Sequence, residues 1–593
     1  MAYRPDHDTL QKIMALQPRV DGERIWLGEA WRENRHGNIV LSMTGEPYEM
    51  GFQHGVLLKK EILNGVVPVF GNPVSQMRDM HGKPALVRKL ILLYLDFTVF
   101  GPLERNTPAE YLQELKGISD GAGIDFRVIL RATFKSELGM IMLPGKVKGN
   151  ASDFGINAEC TDFAAAGPAT ADGKLIIGRN TDYFGQGRWI AAQTIFIYRP
   201  ARDYSYVNIS TAGLIKCNSA FNKHGIFIGG HFMGFDETGP RGLSFTILEH
   251  EIMRRASTIE EALEILRRTP RAGSFGLMLA SGAAQKALVI EANEGRMGVR
   301  GMEKNTAVVT NFAITKEMKG VDLMSRYNLV MRDLAGRYYR LEEILTSERG
   351  RITPTRAAAY MGDRLDWVTR TERATGITIG AANNVTSAIF IPEDGILWLA
   401  SGIEPACDGI FHGYDARTLL KDGRFRNIPD LRPYAWINPS LERGLHHFMK
   451  AYAAHEENPD DFEGMIKHLD AAIKADPKES IYPRLKASLL LHSGQYRKAV
   501  DLLKKSLQLT QSNNERAHAL LMIGLGLDLL YEREAALTYY GMVKELYDKN
   551  GRDIKRGVNA MLMGFCGRHM KKPFTVKNID DIPVAFHSES GLE

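Results

Sequence analysis

The chain has 593 residues with 44% hydrophobic and 24% charged side chains, 57 Gly and 24 Pro, a composition that excludes low-complexity, fibrous and disordered proteins. A single hydrophobic core stops growing at roughly 250–300 residues, so two or three folded units are expected. The formal charge of +5, from 75 Lys plus Arg against 70 Asp plus Glu, is spread along the chain and gives no reason to expect nucleic acid.

The opening Met1-Ala-Tyr-Arg-Pro-Asp-His-Asp8 lacks the apolar run of a secretory signal, so a cytoplasmic location is expected. Residues 1–40 read as a loosely structured lead-in ending in a strand at Ile39–Met43. In Gly45–Gly55, Pro47 suits a first helical turn, and Met50, His54, Leu57 and Leu58 recur at helical spacing, which predicts helices through about residue 140. His54, alone on an apolar helix face, reads as structural. The most apolar early stretch, 85–103, contains Arg88, Lys89 and Asp96; a bilayer span would bury three charges, so a buried or lipid-facing helix is expected rather than a stable membrane span.

From about 150 to 235 the texture changes to short apolar runs: Phe163-Ala-Ala-Ala, Leu175-Ile-Ile, Gln193–Tyr198 and Gly225–Gly229. Asp172-Gly173 and Asn222-Lys-His-Gly225 between them are turn signals, so these are strands. Helices are expected over 242–268, strands near 276–280, 287–291 and 306–310, helices from Arg326 to Leu345 and from Arg356, and a closing strand pair at Ser387–Ile391 and Ile396–Ala400. Strands, then helices, then strands again fit an α+β layered domain ending near 435. Beyond it the pattern is wholly helical: Phe462 aligns with Tyr496 and Met465 with Ala499 at one repeat length, and a weaker copy starts at Tyr531. This resembles tetratricopeptide repeats, whose helix pairs stack because no single pair buries its own face.

Four Cys (Cys160, Cys217, Cys407, Cys566) are widely spaced, which speaks against a disulfide framework or a zinc site. His224, His231 and His250 have no ligand spacing, and no metal or organic cofactor is expected. Cys160 is the candidate nucleophile. A thiol reacts as thiolate, and if the Glu159–Cys160 peptide bond were cut, the new α-amino group, with a reference pKa of about 7.7–8.0, would sit beside its own sulfur as a base. Arg179 and Asp182 offer a cation to favour thiolate and an anion to orient the amine, provided the turn at Asp172-Gly173 folds them back alongside Cys160. Taken singly, a lone Cys is a small buried hydrophobe and an Arg/Asp pair a surface salt bridge.

Cys160-Thr-Asp-Phe163, followed by Asp172-Gly173 and Gly178-Arg-Asn-Thr-Asp182, resembles the opening of the cysteine N-terminal-nucleophile hydrolases of the penicillin acyltransferase (peptidase C45) type, related to choloylglycine hydrolases and acid amidases. Gly45–Gly55, Phe221–Ile226, Val309-Thr-Asn311, Ser325-Arg-Tyr327 and the strand pair from Asn384 to Trp398 extend the likeness over about residues 40–405. The resemblance implies a four-layer αββα sandwich followed by an α-helical repeat domain. It also implies a precursor cut between Glu159 and Cys160, with Cys160 as nucleophile, its freed amine as base, Arg179 and Asp182 ordering them, Asn311 at the nucleophile or oxyanion, and Arg326 as a charged support. Where relatives carry an Asn after the Gly225–Gly230 strand this chain has His231-Phe232, so His231, with Asn222, is a candidate oxyanion or substrate contact.

The expected activity is a self-processing amidohydrolase or acyltransferase acting on a small acyl-amide through a thioester. The alternatives are a non-catalytic scaffold of the same fold, or a thiol-dependent lipid esterase. The expected organisation is an amino-terminal helical segment (1–159), released or retained after cleavage, a nucleophile core (160–435) with part of 40–159 packed on it, a repeat domain (445–560) and a tail (561–593). A protein partner or a homodimer through 450–550 is expected.

Overall fold

The computed structural model describes residues 3–77, 80, 82–148, 159–183, 186–326, 331–546, 560–582 and 584, without the side chains of 76, 144–148, 186, 326, 331, 332, 560 and 561. Asn157 and Ala158, just before the expected cleavage point, lie outside the described residues, as does the Arg326 side chain.

Strands β1 (Arg19–Asp21), β2 (Arg24–Leu27), β3 (Ala30–Arg35) and β4 (Asn38–Gly45) form an amino-terminal meander. After a helical stretch between 47 and 148 come β5 (Glu159–Gly167), β6 (Gly173–Asp182), β7 (Gln193–Pro200), β8 (Tyr206–Thr211), β9 (Ser219–Asn222) and β10 (Ile226–Phe232). The short β11 (Leu243–Ser244) and β12 (Arg271–Ala272) pair with each other. They are followed by β13 (Phe275–Ser281), β14 (Lys286–Ala292), β15 (Met297–Gly301), β16 (Thr306–Val309), β17 (Asn384–Ile391), β18 (Ile396–Ser401) and β19 (Ile410–Asp415). Among the described residues the larger sheet runs β1-β2-β3-β4-β7-β8-β9-β10-β13-β14-β15 and the smaller β16-β5-β6-β17-β18-β19.

The reading of 1–40 as a loose lead-in is therefore corrected. Residues 7–14 are helical and β1 to β3 are strands. Their charged residues (Arg19, Arg24, Arg32, Glu33, Arg35) hid the alternation, whereas in the fold Arg24 pairs with Glu33 at 3.0 Å and stacks on Trp31. The segment before Cys160 is likewise more than helical. It supplies four strands, and β4 pairs in parallel with β7 from Ile39↔Thr194 to Gly45↔Pro200. The strands β15 and β19 also went unread, since neither carries a clean apolar alternation.

Period-two alternation explains where the cores lie. In β5 and β6, Ala164, Leu175 and Ile177 share one cluster with Val40, Ile195 and Phe227 of the larger sheet. The opposite residues Phe163, Ala165 and Ile176 join Leu341, Ala357 and Met361 of the helices after residue 330. On the far face of the larger sheet Leu41, Phe196 and Ile228 pack with Met50, Leu115 and Ile247. The two helices Pro47–Leu57 and Ala109–Ala122 cross at backbone contact. A Cβ on Gly51 would stand 2.0 Å from the Glu114 carbonyl oxygen, one on Gly55 2.4 Å from that of Ile118, and one on Gly117 2.2 Å from that of Tyr48, so Gly51 and Gly55 of the Gly45–Gly55 motif serve packing. His54 is structural: it is buried, and its Nε2 accepts from the Gly213 amide at 2.8 Å.

From Pro439 onward the described chain is helical, with Phe462–Ala475, Ile481–His492, Tyr496–Leu509, Asn513–Leu529 and Arg533–Leu546 in succession. The repeat-aligned Phe462 and Tyr496 each open a helix. Arg373, in the loop before β17, is buried against this region, donating to Glu479 at 2.7 Å and to Glu515. Ala374 and Ala382 of the same loop join the cluster of Phe448, Leu469 and Leu485.

Candidate active site

Cys160 is the second residue of β5, and the hairpin forms as its turn residues demand. Gly173 sits at φ +82°, and the Asp172 carboxylate accepts from the Lys174 amide at 3.1 Å. The return strand β6 sets Asp182 opposite Glu159, Thr181 opposite Cys160 and Arg179 opposite Asp162. Cys160 and Asp162, two apart on one strand, face the same side as Ala164, into the space between the sheets. Asn311, just past the end of β16, comes from the other flank of β5, and its Oδ1 accepts from the Cys160 backbone N–H at 2.9 Å. Its Nδ2 donates to the Phe232 carbonyl at 2.8 Å.

The Arg179 guanidinium joins the rest. Nη2 is 3.6 Å from Cys160 Sγ and donates to the Gly230 carbonyl at 2.5 Å, while Nη1 donates to both Asp162 oxygens at 2.8 Å. All three side chains are buried. The surface salt bridge that Arg179 and Asp182 suggested in isolation is thus replaced by a buried Arg179–Asp162 pair, a motif residue whose role the sequence reading missed. Its signal was present, since Asp162 follows Cys160 at a spacing of two. Gly229 makes room, because a Cβ there would meet Asp162 Oδ2 at 2.3 Å.

His231 is within β10 rather than after it, and its Nε2 stands 3.1 Å from Asp162 Oδ2 and 3.3 Å from Arg179 Nη1. Burial, only partly offset by Asp162, lowers its pKa. Through these contacts it backs the ion pair. Asn222 is held elsewhere in the turn. Its Nδ2 donates to the Met253 and Ala256 carbonyls and its Oδ1 accepts from the His224 and Ile226 amides, so it closes the β9–β10 turn onto the Phe245–Arg255 helix. Of the other histidines, His250 hydrogen-bonds Tyr206 at 2.7 Å and His224 packs edge-on to Tyr204.

Asp182 is buried, with Oδ1 accepting from Asn384 Nδ2 at 2.7 Å and Oδ2 without a hydrogen-bond partner among the described residues. Burial raises its pKa to about 6, against the pull of Arg337 and Asn384. Burial also pushes the Cys160 thiol up, with Arg179 opposing and Asp162 and Asp182 adding to the rise, so the thiol of the uncut chain is protonated at neutral pH. Arg337, on the Met331–Ser347 helix, was not foreseen. It donates to the Cys160 carbonyl at 3.1 Å, to Thr161 Oγ1 and to Glu159 at 3.2 Å, and pairs with Asp333 at 2.8 Å. Nothing local in the sequence marks it.

The family described as acyl-coenzyme A:6-aminopenicillanic acid acyl-transferase matches residues 169–403, a span that holds Arg179, Asp182, Asn311 and Asn384 and begins beyond Cys160. An uncharacterised protein of Archaeoglobus fulgidus is 24% identical over 362 residues, covering 54% of this chain and 56% of that protein. The chain spans about half the length of the curated relatives it matches. Among solved structures, the Caenorhabditis elegans ortholog of N-acylethanolamine-hydrolyzing acid amidase is 15% identical with a TM-score of 0.29, covering 39% of this chain and 93% of that one. The C2A mutant of conjugated bile acid hydrolase from Clostridium perfringens is 11% identical with a TM-score of 0.28, covering 47% and 99%. The partial family match supports an enzyme of acyltransferase kind.

Proposed function

We propose that this chain is a self-processing cysteine amidohydrolase or acyltransferase acting on a small acyl-amide. The observation that carries the reading is the surrounding of Cys160: a backbone N–H held by Asn311, a sulfur facing a buried guanidinium, and an orphaned Asp182 oxygen at the strand position opposite Glu159. In the first reaction the Cys160 sulfur attacks the Glu159 carbonyl carbon, its proton passing to the departing Cys160 nitrogen. Water then opens the resulting thioester, leaving a Glu159 carboxylate and a free Cys160 amine.

That amine takes over as base. In turnover it accepts the thiol proton as sulfur adds to the substrate carbonyl and returns it to the leaving amine, and water or a second amine discharges the acyl-enzyme. Arg179 favours thiolate, Asp182 takes the ammonium with the oxygen that has no hydrogen-bond partner among the described residues, and Asn311 orders the nitrogen. Arg337 grips the chain on both sides of the new terminus, and Arg326 is the remaining charged support. The three clusters on and between the sheets support a four-layer αββα arrangement in which the 1–159 segment stays bound after cleavage through the β4–β7 pairing. The helices beyond 445 are proposed as tetratricopeptide-like repeats offering a protein-docking surface.

Trapping tests this. Purified protein is incubated with a panel of acyl-amides, acid-quenched and digested, and the peptide that begins at Cys160 is weighed. One acyl group on that peptide, absent from Cys160→Ala, is expected. Turnover without acylation of Cys160 contradicts the reading.

A further inference from the structure

The helix Ala85–Leu95 projects from the body: every residue from Gly82 to Leu90 is exposed. Its large exposed apolar residues follow one helical stripe, Leu86, Leu90 and Leu93 running on to Phe97 in the next turn, with Tyr94 beside them, at 67, 56, 53, 79 and 66% exposure. Apolar side chains of this size so far out of a core mark a surface that something covers. The helix is fixed at its carboxyl end, where Asp96 takes a two-pronged hydrogen bond from Arg131 at 2.8 and 2.5 Å and Val99 and Phe100 are buried. The stripe is therefore held outward rather than free to fold back.

Charge selects the occupant. From residue 80 to residue 95 the sequence holds Lys83, Arg88 and Lys89 and no acidic residue, and all three cations are exposed and without an ion pair among the described residues. A second copy of the chain would bring two basic stripes face to face. An anionic bilayer surface takes both features at once, the apolar face entering the acyl boundary while long cationic side chains reach the headgroups. No helix among the described residues is long and apolar enough to cross a membrane, so the attachment is peripheral. We infer that the Ala85–Leu95 helix docks this protein on anionic membrane surfaces through the Leu86–Leu90–Leu93–Phe97 stripe and its flanking lysines and arginine. This does not depend on the chemistry at Cys160.

Co-sedimentation of the full chain with vesicles tests it, comparing phosphatidylcholine alone with phosphatidylcholine plus phosphatidylserine. Binding should be about tenfold stronger to the anionic vesicles and fall as salt is added, because the cationic contribution is screened. Leu90→Glu with Phe97→Glu should reduce binding at least about tenfold, with circular dichroism and thermal midpoint unchanged, since both side chains are exposed. Lys83→Glu with Lys89→Glu should remove the preference for phosphatidylserine. A wild-type chain that stays in the supernatant with both vesicles, or a Leu90/Phe97 variant that binds like wild type, overturns the inference. So does concentration-dependent self-association in sedimentation velocity that the Leu90/Phe97 variant abolishes, since a second copy would then cover the stripe.

Discussion

Arg179 and Asp162 form a fully buried pair at 2.8 Å, and the same guanidinium keeps a second nitrogen 3.6 Å from the Cys160 sulfur. One cation thus neutralises a carboxylate and lowers the cost of a thiolate. Arg179→Gln should slow alkylation of Cys160 by about tenfold at neutral pH, because a thiolate loses its buried counter-charge. It should also cost about 3–5 kcal/mol of stability, because Asp162 is left uncompensated. Chemical unfolding and timed alkylation check both; an unchanged alkylation rate would show that the guanidinium serves Asp162 alone.

Asp182 gives a pH signature. Its carboxyl is raised to about 6 in the folded, uncut chain, so between the ordinary carboxylate range and pH 6 the folded state binds more protons than the unfolded one. Its contribution to stability is therefore present below pH 4 and is lost as pH rises through 6. In a Cys160→Ala background, Asp182→Asn should gain about 2–3 kcal/mol at neutral pH and nothing in acid. Urea unfolding at both pH values measures it, and equal effects at the two would refute the burial argument.

His54 acts in the opposite direction. Burial lowers its pKa to about 3 while Nε2 accepts from Gly213, so the unfolded state binds the extra proton and stability falls as pH drops below about 6.5. His54→Gln keeps an acceptor and loses the titration. The stability slope between pH 6 and 4 should flatten by about 1.4 kcal/mol per pH unit. A slope identical to wild type would place the acid sensitivity elsewhere.

Arg373 binds the helical region to the core. Arg373→Met removes a buried cation that donates to Glu479 and Glu515, which should cost about 3–5 kcal/mol and open the chain to proteases between 430 and 440. Replacing all three by apolar residues of similar size should recover most of the loss. If the triple variant is no more stable than Arg373→Met, packing at Ala374 and Ala382 dominates the interface.

The hairpin was legible in the sequence because its signals are local: an Asp-Gly turn, strands alternating on both sides of it, and charges at the end of the return strand. The late helices were legible because two similar stretches, aligned on Phe462 and Tyr496, each read as helical. The first three strands of the amino-terminal meander were not, since they are short and carry arginines whose guanidinium planes stack only once the rings of Trp31 and Phe425 are in place. Arg337 and Asn384 stand far along the chain from the residues they hold, and no spacing rule reaches across that distance. The partners of His231 and Asn222 were not legible, because a histidine and an asparagine near a strand end suit a site as well as a turn or a buried ion pair.

In the proposed chemistry the Glu159–Cys160 peptide bond is the protein's first substrate. Intact mass and amino-terminal sequencing of the purified chain and of Cys160→Ala test it most directly. Two fragments, one beginning Cys160-Thr-Asp-Phe, should appear in the wild type and neither in the variant. A wild-type chain that stays whole under native conditions, or a variant cut at the same bond, would contradict it.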